Sequence, residues 1–379
     1  MTGQILLDLT GLAAAPHHSG IQRVERQVLR HWPDRAQLLP CVLDPAGPIR
    51  WLDDAATAVL CPASDDGGDV PASRRALARL IDAAPMLAPG PRPVILNLEL
   101  FHEQWRAQAY RRMCRTGWRV RWLVYDFIPW LRPDLFRQGT IRFCMDYLTA
   151  LREVPQVAFL SEETRTDYRD RVMRSRGRGS ERPGPVLTPG ADGLGLERQA
   201  WSPARRDIVL LGTLERRKNT HAALAAFRLL WARGPAPRLV LAGQVSMPLQ
   251  QELAEFLAEA GPERAVLLED RPDAEVREAL RRARAVLFPS EAEGFGLPPM
   301  EAAQCGIPAI AATRLPSMRL LPRRGHIRLQ EVSAEALADA VTALMDDATA
   351  ARLWAEAAGA TLPSWRGFAR AVADWVAEA

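Results

Sequence analysis

Arg217-Lys218 and the segment Glu293-Gly294-Phe295-Gly296-Leu297-Pro298-Pro299-Met300-Glu301 hold the residue types best suited to chemistry in this chain. Lys218 is the only lysine; all other basic residues in the Lys and Arg total are arginine. A compact ammonium suits a diphosphate as a point charge, and a guanidinium beside it adds planar donors. Glu293 and Glu301, with seven residues between them, flank a glycine turn and can accept hydrogen bonds from hydroxyl groups at two separate points. Taken singly, the basic pair also fits a surface ion-pair cluster. The acids also fit a turn residue and a helix-dipole residue. The elements around them decide between these readings.

Short apolar runs alternate with helical stretches. They are Gln4 to Asp8, Pro93 to Leu96, Arg121 to Tyr125, Val157 to Leu160, Asp207 to Leu211, Leu239 to Ala242 and Ala285 to Phe288. This predicts an α/β fold with buried parallel strands. Pro189-Gly190-Ala191-Asp192 closes a first domain. We therefore expect residues 1–195 and 196–363 to form two Rossmann-like, doubly wound domains facing each other across a cleft. An amphipathic helix over 364–379 would pack back on the first, with Phe368, Val372, Trp375 and Val376 at helical spacing. Ligands of such sheets lie at the carboxyl ends of the strands, so the motifs belong on strand-to-helix loops. Gly212 to Thr220 follows one strand and precedes a helix carrying Leu224, Phe227 and Leu230. Glu293 to Glu301 follows another strand, with Pro298-Pro299 opening a helix and Gly306 ending it. Ser161 starts a helix, and Arg171 to Gly184 reads as an exposed loop.

A chain of 379 residues, 48% apolar, can bury two cores. It has no apolar run of membrane-spanning length and no basic leader, so a cytoplasmic protein is expected. Five scattered cysteines, 41, 61, 114, 144 and 305, without CxxC spacing, indicate neither a disulfide framework nor a zinc site. The net charge of +4 arises before residue 197. There, Gln104 to Val124 holds Arg106, Arg111, Arg112, Arg115, Arg119 and Arg121 without an acid, interleaved with Trp105, Trp118 and Trp122. Such a surface suits an anionic membrane face or a lipid-diphosphate acceptor; a solvated arginine face with its tryptophans turned to the core is the alternative. No nucleic-acid-binding motif accompanies the charge.

Ser290 to Pro308 resembles the E-x7-E signature of retaining glycosyltransferases of family 4, which have the GT-B fold. Gly212 to Asn219 resembles that family's diphosphate-binding loop in its R-K-N form. The resemblance continues through Leu241-Ala242-Gly243, Ser161 to Tyr168 and Ser364-Trp365. It implies that Glu293 contacts the transferred sugar, Glu301 the ribose, and Lys218 and Arg217 the diphosphate. The amides of Phe295, Gly296 and Leu297 would complete the donor site, with Gly212, Thr213, Gly243 and Gly294 in its loops. Catalytic work would fall to Glu293, Lys218 and Arg217.

In the first domain, His17 to Val24 opens a helix with Ile21, Val24 and Val28 inward. Gly20 there resembles the family's N-terminal glycine loop; capping by Ser19 is the plain alternative. Tyr125-Asp126-Phe127-Ile128-Pro129 resembles an acceptor-side loop of mannose and 6-deoxyhexose transferases, with tyrosine where histidine often precedes the aspartate. His102 is a candidate to replace that histidine. Leu315-Pro316-Ser317-Met318-Arg319 departs from the family by lacking an acid after the turn. No D-x-D motif occurs. The resemblance therefore implies a metal-independent, retaining hexosyl transfer with no cofactor, GDP-mannose being the first candidate donor and 6-deoxyhexose or UDP-sugars the next. The acceptor would be a glycan or lipid-linked oligosaccharide of a bacterial surface polysaccharide, met at the inner face of the membrane. A non-catalytic GT-B module binding a glycan or partner is the rival reading.

Overall fold

Continuous apolar runs become parallel strands here because both faces of each sheet are covered by helices. The computed structural model describes residues 4–16, 19–62, 70–87, 93–136, 140–173, 184–269 and 271–378. His17 and His18 and residues 174–183 of the expected loop lie outside them. The described chain divides into two compact units, residues 1–190 with 364–379, and residues 191–363.

The first unit contains strands β1 (Ile5–Asp8), β2 (Leu38–Leu43), β3 (Ile49–Trp51), β4 (Val94–Asn97), β5 (Arg119–Val124) and β6 (Gln156–Phe159). They form one sheet in the order β3-β2-β1-β4-β5-β6, parallel except for β3. Between them run helices α1 (Thr10–Ala14), α2 (Gly20–His31), α3 (Asp54–Leu60), α4 (Val70–Ala83), α5 (Gln104–Arg115), α6 (Ile128–Leu131) and α7 (Thr140–Leu151), with α8 (Glu162–Asp167) after β6. Ser19 caps α2 by accepting the Gln22 amide, and Ser161 caps α8 by accepting that of Thr164. Val24 and Val28 are buried, while Ile21 is half-buried.

The second unit contains β7 (Asp207–Leu211), α9 (Thr220–Arg233), β8 (Leu239–Ala242), α10 (Gln250–Ala260), β9 (Ala265–Leu268), α11 (Asp273–Arg282) and β10 (Ala283–Phe288). It continues through α12 (Leu297–Gln304), β11 (Ala309–Ala312), α13 (Pro316–Leu320), β12 (Ile327–Leu329), α14 (Ala334–Met345) and α15 (Asp347–Ala357). Its sheet order is β12-β11-β10-β7-β8-β9, all parallel. Alternate strand residues serve opposite cores, as a side-chain period of two requires. Ile208, Leu210, Leu239 and Leu241 pack with α9 and α14, and Val209, Val240 and Val286 with α11 and α15. The last helix, α16 (Trp365–Ala377), belongs to the first unit, where it packs on α2 and buries Trp365, Phe368, Val372, Trp375 and Val376.

In each sheet the first strand lies between the second and the fourth, so the chain reverses its winding direction between β1 and β4 and again between β7 and β10. Loops on either side of such a switch point part, and ligands of doubly wound sheets lie there.

The expected basic surface over 104–124 keeps four of its six arginines at least partly exposed and loses two to the interior. Arg106 is 0% exposed and Arg121 is also buried. Arg111 and Arg115 both grip Glu153, and Arg119 and Arg121 both donate to the Glu378 carbonyl at the end of α16. Trp122 is fully buried, and Trp105 and Trp118 pack against the same core. The segment is an amphipathic helix followed by a core strand, so Arg106 and Arg121 lie inside while Arg112 and Arg115 remain exposed.

Candidate functional site

Strands β7 and β10 are neighbours in register, Leu210 beside Leu287, so the loops leaving their carboxyl ends start side by side. The β7 loop carries Gly212, Thr213, Arg217 and Lys218, and ends at Asn219, held in the left-handed region at φ 54° before α9. Asn219 tolerates that conformation better than most residues, and its side-chain amide donates to the Val332 carbonyl at 2.8 Å. Gly243, after β8, stands over this loop. A Cβ on it would fall 2.1 Å from the Gly212 carbonyl oxygen, so its role is close backbone packing that sets the path of the β7 loop. Leu214 reinforces the arrangement by exchanging backbone hydrogen bonds with the segment after β8, donating to Gln244 and accepting from Ser246.

The β10 loop carries Glu293, Gly294, Phe295 and Gly296, the last at φ 88° immediately before α12. Pro298 and Pro299 occupy the first turn of α12, where their missing N–H groups cost nothing. The Phe295 carbonyl accepts the Ser317 amide at 3.0 Å, which ties the loop to α13.

The two loops meet at Glu293. Its carboxylate lies 2.6 Å from Lys218 Nζ and 3.0 Å from Arg217 Nη1, and it accepts the Ser290 hydroxyl at 2.5 Å. Arg217 also donates to the Ala292 carbonyl at 2.9 Å and to Glu215 at 2.8 Å. Lys218 Nζ lies 4.9 Å from the centre of the Phe288 ring, a cation–π contact. Sequence spacing thus led to Arg217, Lys218 and Glu293, and the fold brings them into one ion-paired group. It adds Glu215, Ser290 and Phe288, which sequence reasoning missed. Their only signal was adjacency, since each lies within three residues of a motif member or at the end of its strand.

Glu293 is 8% exposed at its side chain. Burial by itself raises a carboxyl pKa, but Arg217 and Lys218 outweigh it and hold Glu293 at about 2. Lys218 is drawn down by burial and by the neighbouring Arg217 charge, against the opposing pull of Glu293. The folded Glu293 therefore binds its proton more weakly than the unfolded one. Its contribution, on the order of 3 kcal/mol at most, is present above the unfolded value near 4.5 and is lost as pH falls toward about 2. Acid titration of a Glu293→Gln variant, followed by urea melts, is expected to show a shallower loss of stability over that range. Equal slopes would mean the pairing is absent in solution.

Glu301 lies on α12 and is 1% exposed. Burial first and then the Glu301 charge push the neighbouring Cys305 thiol up to about 12.

In the first unit, Gly20 begins α2, and a Cβ there would meet nothing within 4 Å. The β4 and β5 loops bear the acceptor-side candidates. Tyr125 donates its hydroxyl to the Leu98 carbonyl at 2.8 Å, while Asp126 accepts the Ile128 amide at 3.0 Å. His102 is exposed, with Nδ1 3.7 Å from Cys144 Sγ. Tyr125 therefore anchors its own loop to the β4 loop.

A charged cluster unseen in the sequence fills the switch point between β1 and β4. Asp8 Oδ2 accepts Arg106 Nη2 at 2.8 Å and the Tyr110 hydroxyl at 2.5 Å. Glu99 pairs with the same guanidinium and accepts the amides of Gly11 at 2.9 Å and Leu12 at 2.6 Å. Glu25, fully buried on α2, adds a third carboxyl. Burial and then the Glu99 charge raise its pKa well above the ordinary range, which favours its neutral form beside Glu99.

Comparison with known proteins fits this geometry. Residues 197–360 match the family model for glycosyl transferases group 1. Over 207 residues, half of this chain, the sequence is 28% identical to the serotype-specific mannosyltransferase WbdA of Escherichia coli, although the match spans a quarter of that protein. Over 183 residues, 43% of each chain, it is 32% identical to a D-inositol 3-phosphate glycosyltransferase of Corynebacterium urealyticum. The chain thus spans less than half the length of these relatives. Among solved structures, Anabaena Alr3699/HepE in complex with UDP and glucose shares the fold at TM-score 0.65 and 18% identity, covering 98% of each chain. Residues 197–360, which carry the Arg217, Lys218 and Glu293 constellation, therefore match the glycosyl transferases group 1 model within a chain of GT-B fold.

Proposed function

We infer that this protein transfers a hexose from a nucleotide sugar to a glycan or lipid-linked acceptor of a bacterial surface polysaccharide, with retention of configuration and without a metal ion. The observation that carries the reading is the meeting of Lys218, Arg217 and Glu293 at the switch point of the group 1 domain. The Lys218 ammonium opposes the charge that develops on the leaving diphosphate, with Arg217 holding the β7 and β10 loops together beside it. The Phe295 and Gly296 amides donate no hydrogen bond within the described residues and suit the same phosphates. Glu293 orients sugar hydroxyls, and Glu301 takes the ribose. The leaving diphosphate accepts the acceptor's proton on the face it departs from, which requires no carboxylate nucleophile. His102, Tyr125 and Asp126 stand on the acceptor side.

GDP-mannose is the first donor proposed, supported by the R-K-N loop and by the likeness to WbdA. A UDP-sugar is the second, supported by the UDP bound to the structural neighbour. Incubating the protein with GDP-mannose, UDP-glucose and dTDP-rhamnose in turn, with a lipid-linked acceptor, and following nucleoside diphosphate release is expected to show one active donor. That activity should persist in EDTA, as the missing D-x-D motif and the basic pair at 217 and 218 imply. Dependence on added divalent metal would overturn the metal-free reading. Binding of a nucleotide sugar with no transfer to any acceptor would favour the non-catalytic module.

A further inference from the structure

The cations of the donor site are already balanced by the protein's own acids. Arg217 pairs with Glu215 and Glu293, and Lys218 pairs with Glu293, so two cations face two carboxylates. A diphosphate entering this group must share Lys218 and Arg217 with a carboxylate that stays ionised, lies 2.6 Å from the ammonium and is nearly enclosed. Every negative charge added to the ligand is then opposed at short range in a poorly screened place. Free nucleoside diphosphate and nucleotide sugar differ in this respect. The terminal phosphate of the free diphosphate has a second pKa of about 6, so near neutral pH it carries one more negative charge than the same phosphate esterified to a sugar.

We propose that Glu293 is a built-in counter-charge that sets the selectivity of the site between nucleotide-sugar donor and free nucleoside diphosphate product, disfavouring the product. This rests on the donor-site reading above. It assigns Glu293 a role separate from contact with sugar hydroxyls, because the free diphosphate has no sugar to contact. The role also accounts for the pairing of Lys218 with a carboxylate, which a site selected only for diphosphate affinity would avoid.

The test is titration calorimetry at pH 7.5 with GDP, UDP and the corresponding nucleotide sugars. Glu293→Gln keeps the shape and removes the charge; it is expected to bind its nucleoside diphosphate roughly 3- to 10-fold more tightly than wild type, with a smaller gain for the nucleotide sugar. Lys218→Met should weaken diphosphate binding, and adding Glu293→Gln to it should recover most of the loss, since the double variant restores the wild-type balance of charge. The double variant also keeps the test open if Glu293→Gln alone does not fold. Unchanged or weaker diphosphate binding in Glu293→Gln, or a loss that deepens in the double variant, overturns the proposal. If the wild-type protein binds no nucleoside diphosphate at all, the donor-site reading fails first and the inference falls with it; if it binds and the ratio stays fixed, the inference alone fails.

Discussion

Arg106→Ala is expected to destabilise the first unit by about 3 to 5 kcal/mol, the usual cost of leaving a buried charge without its partner. For a unit of this size, that lowers Tm by about 10 °C. Arg106 is 0% exposed and supplies the positive charge facing the Asp8 and Glu99 carboxylates, with Glu25 packed beside them. Losing the guanidinium leaves two carboxyl groups in a dry site without the cation that faces them. Glu99 also holds the Gly11 and Leu12 amides, so α1, which follows β1, should loosen as well. Glu25→Gln is the contrast. Burial favours the neutral form of Glu25, so the neutral amide is expected to replace it at little cost. Its raised pKa means that its contribution is present below the ordinary carboxylate range and is lost as pH climbs through the raised value. The Gln variant should therefore gain on wild type as pH rises, with Asp8, Glu99 and Arg106 unchanged around it. Thermal melts of both variants across pH provide the check. A melt for Arg106→Ala within about 1 °C of wild type would show that water reaches the cluster.

Lys218→Ala should weaken nucleoside diphosphate binding by roughly 10- to 150-fold, the equivalent of one charge-assisted contact of about 1.5 to 3 kcal/mol. Turnover should fall at least as far, because the ammonium opposes charge that grows in the transition state. The substitution also leaves Glu293 with Arg217 as its remaining cationic partner in the ion-paired group, which adds repulsion toward the phosphates. Calorimetry separates the binding loss from the rate loss. Wild-type affinity and turnover in a folded Lys218→Ala protein would remove Lys218 from the site.

The sequence by itself determined much of the second unit. The runs at 207–211 and 239–242 are strands over those same residues, and the 285–288 run is a strand beginning two residues earlier. They were legible because a strand buried on both faces is apolar throughout and glycine or proline marks where it stops. Placing the motifs after β7 and β10 followed from the same alternation. Strands β2, β3, β9, β11 and β12 were not read. β2 contains Pro40, and β11 is Ala309-Ile310-Ala311-Ala312, whose composition favours a helix; both are strands because their neighbours supply the ladder and the cover.

Tertiary structure alone decided which charges meet. Glu293 lies 75 residues from Lys218, and Arg106 lies 98 from Asp8, so no local spacing reports either pair. The arginine-rich segment shows the same limit. Its composition suggests one cationic face, yet α5 presents Arg106 inward while Arg111 and Arg115 reach Glu153. A sequence records how many charges a helix carries, whereas the direction of each is set by the 100° step between residues and by what the neighbouring elements place opposite. Burial then decides the chemistry. The same carboxyl group is held ionised at Glu293 by two cations and pushed toward its neutral form at Glu25 by burial and then by the Glu99 charge, and that difference exists only once the chain is folded.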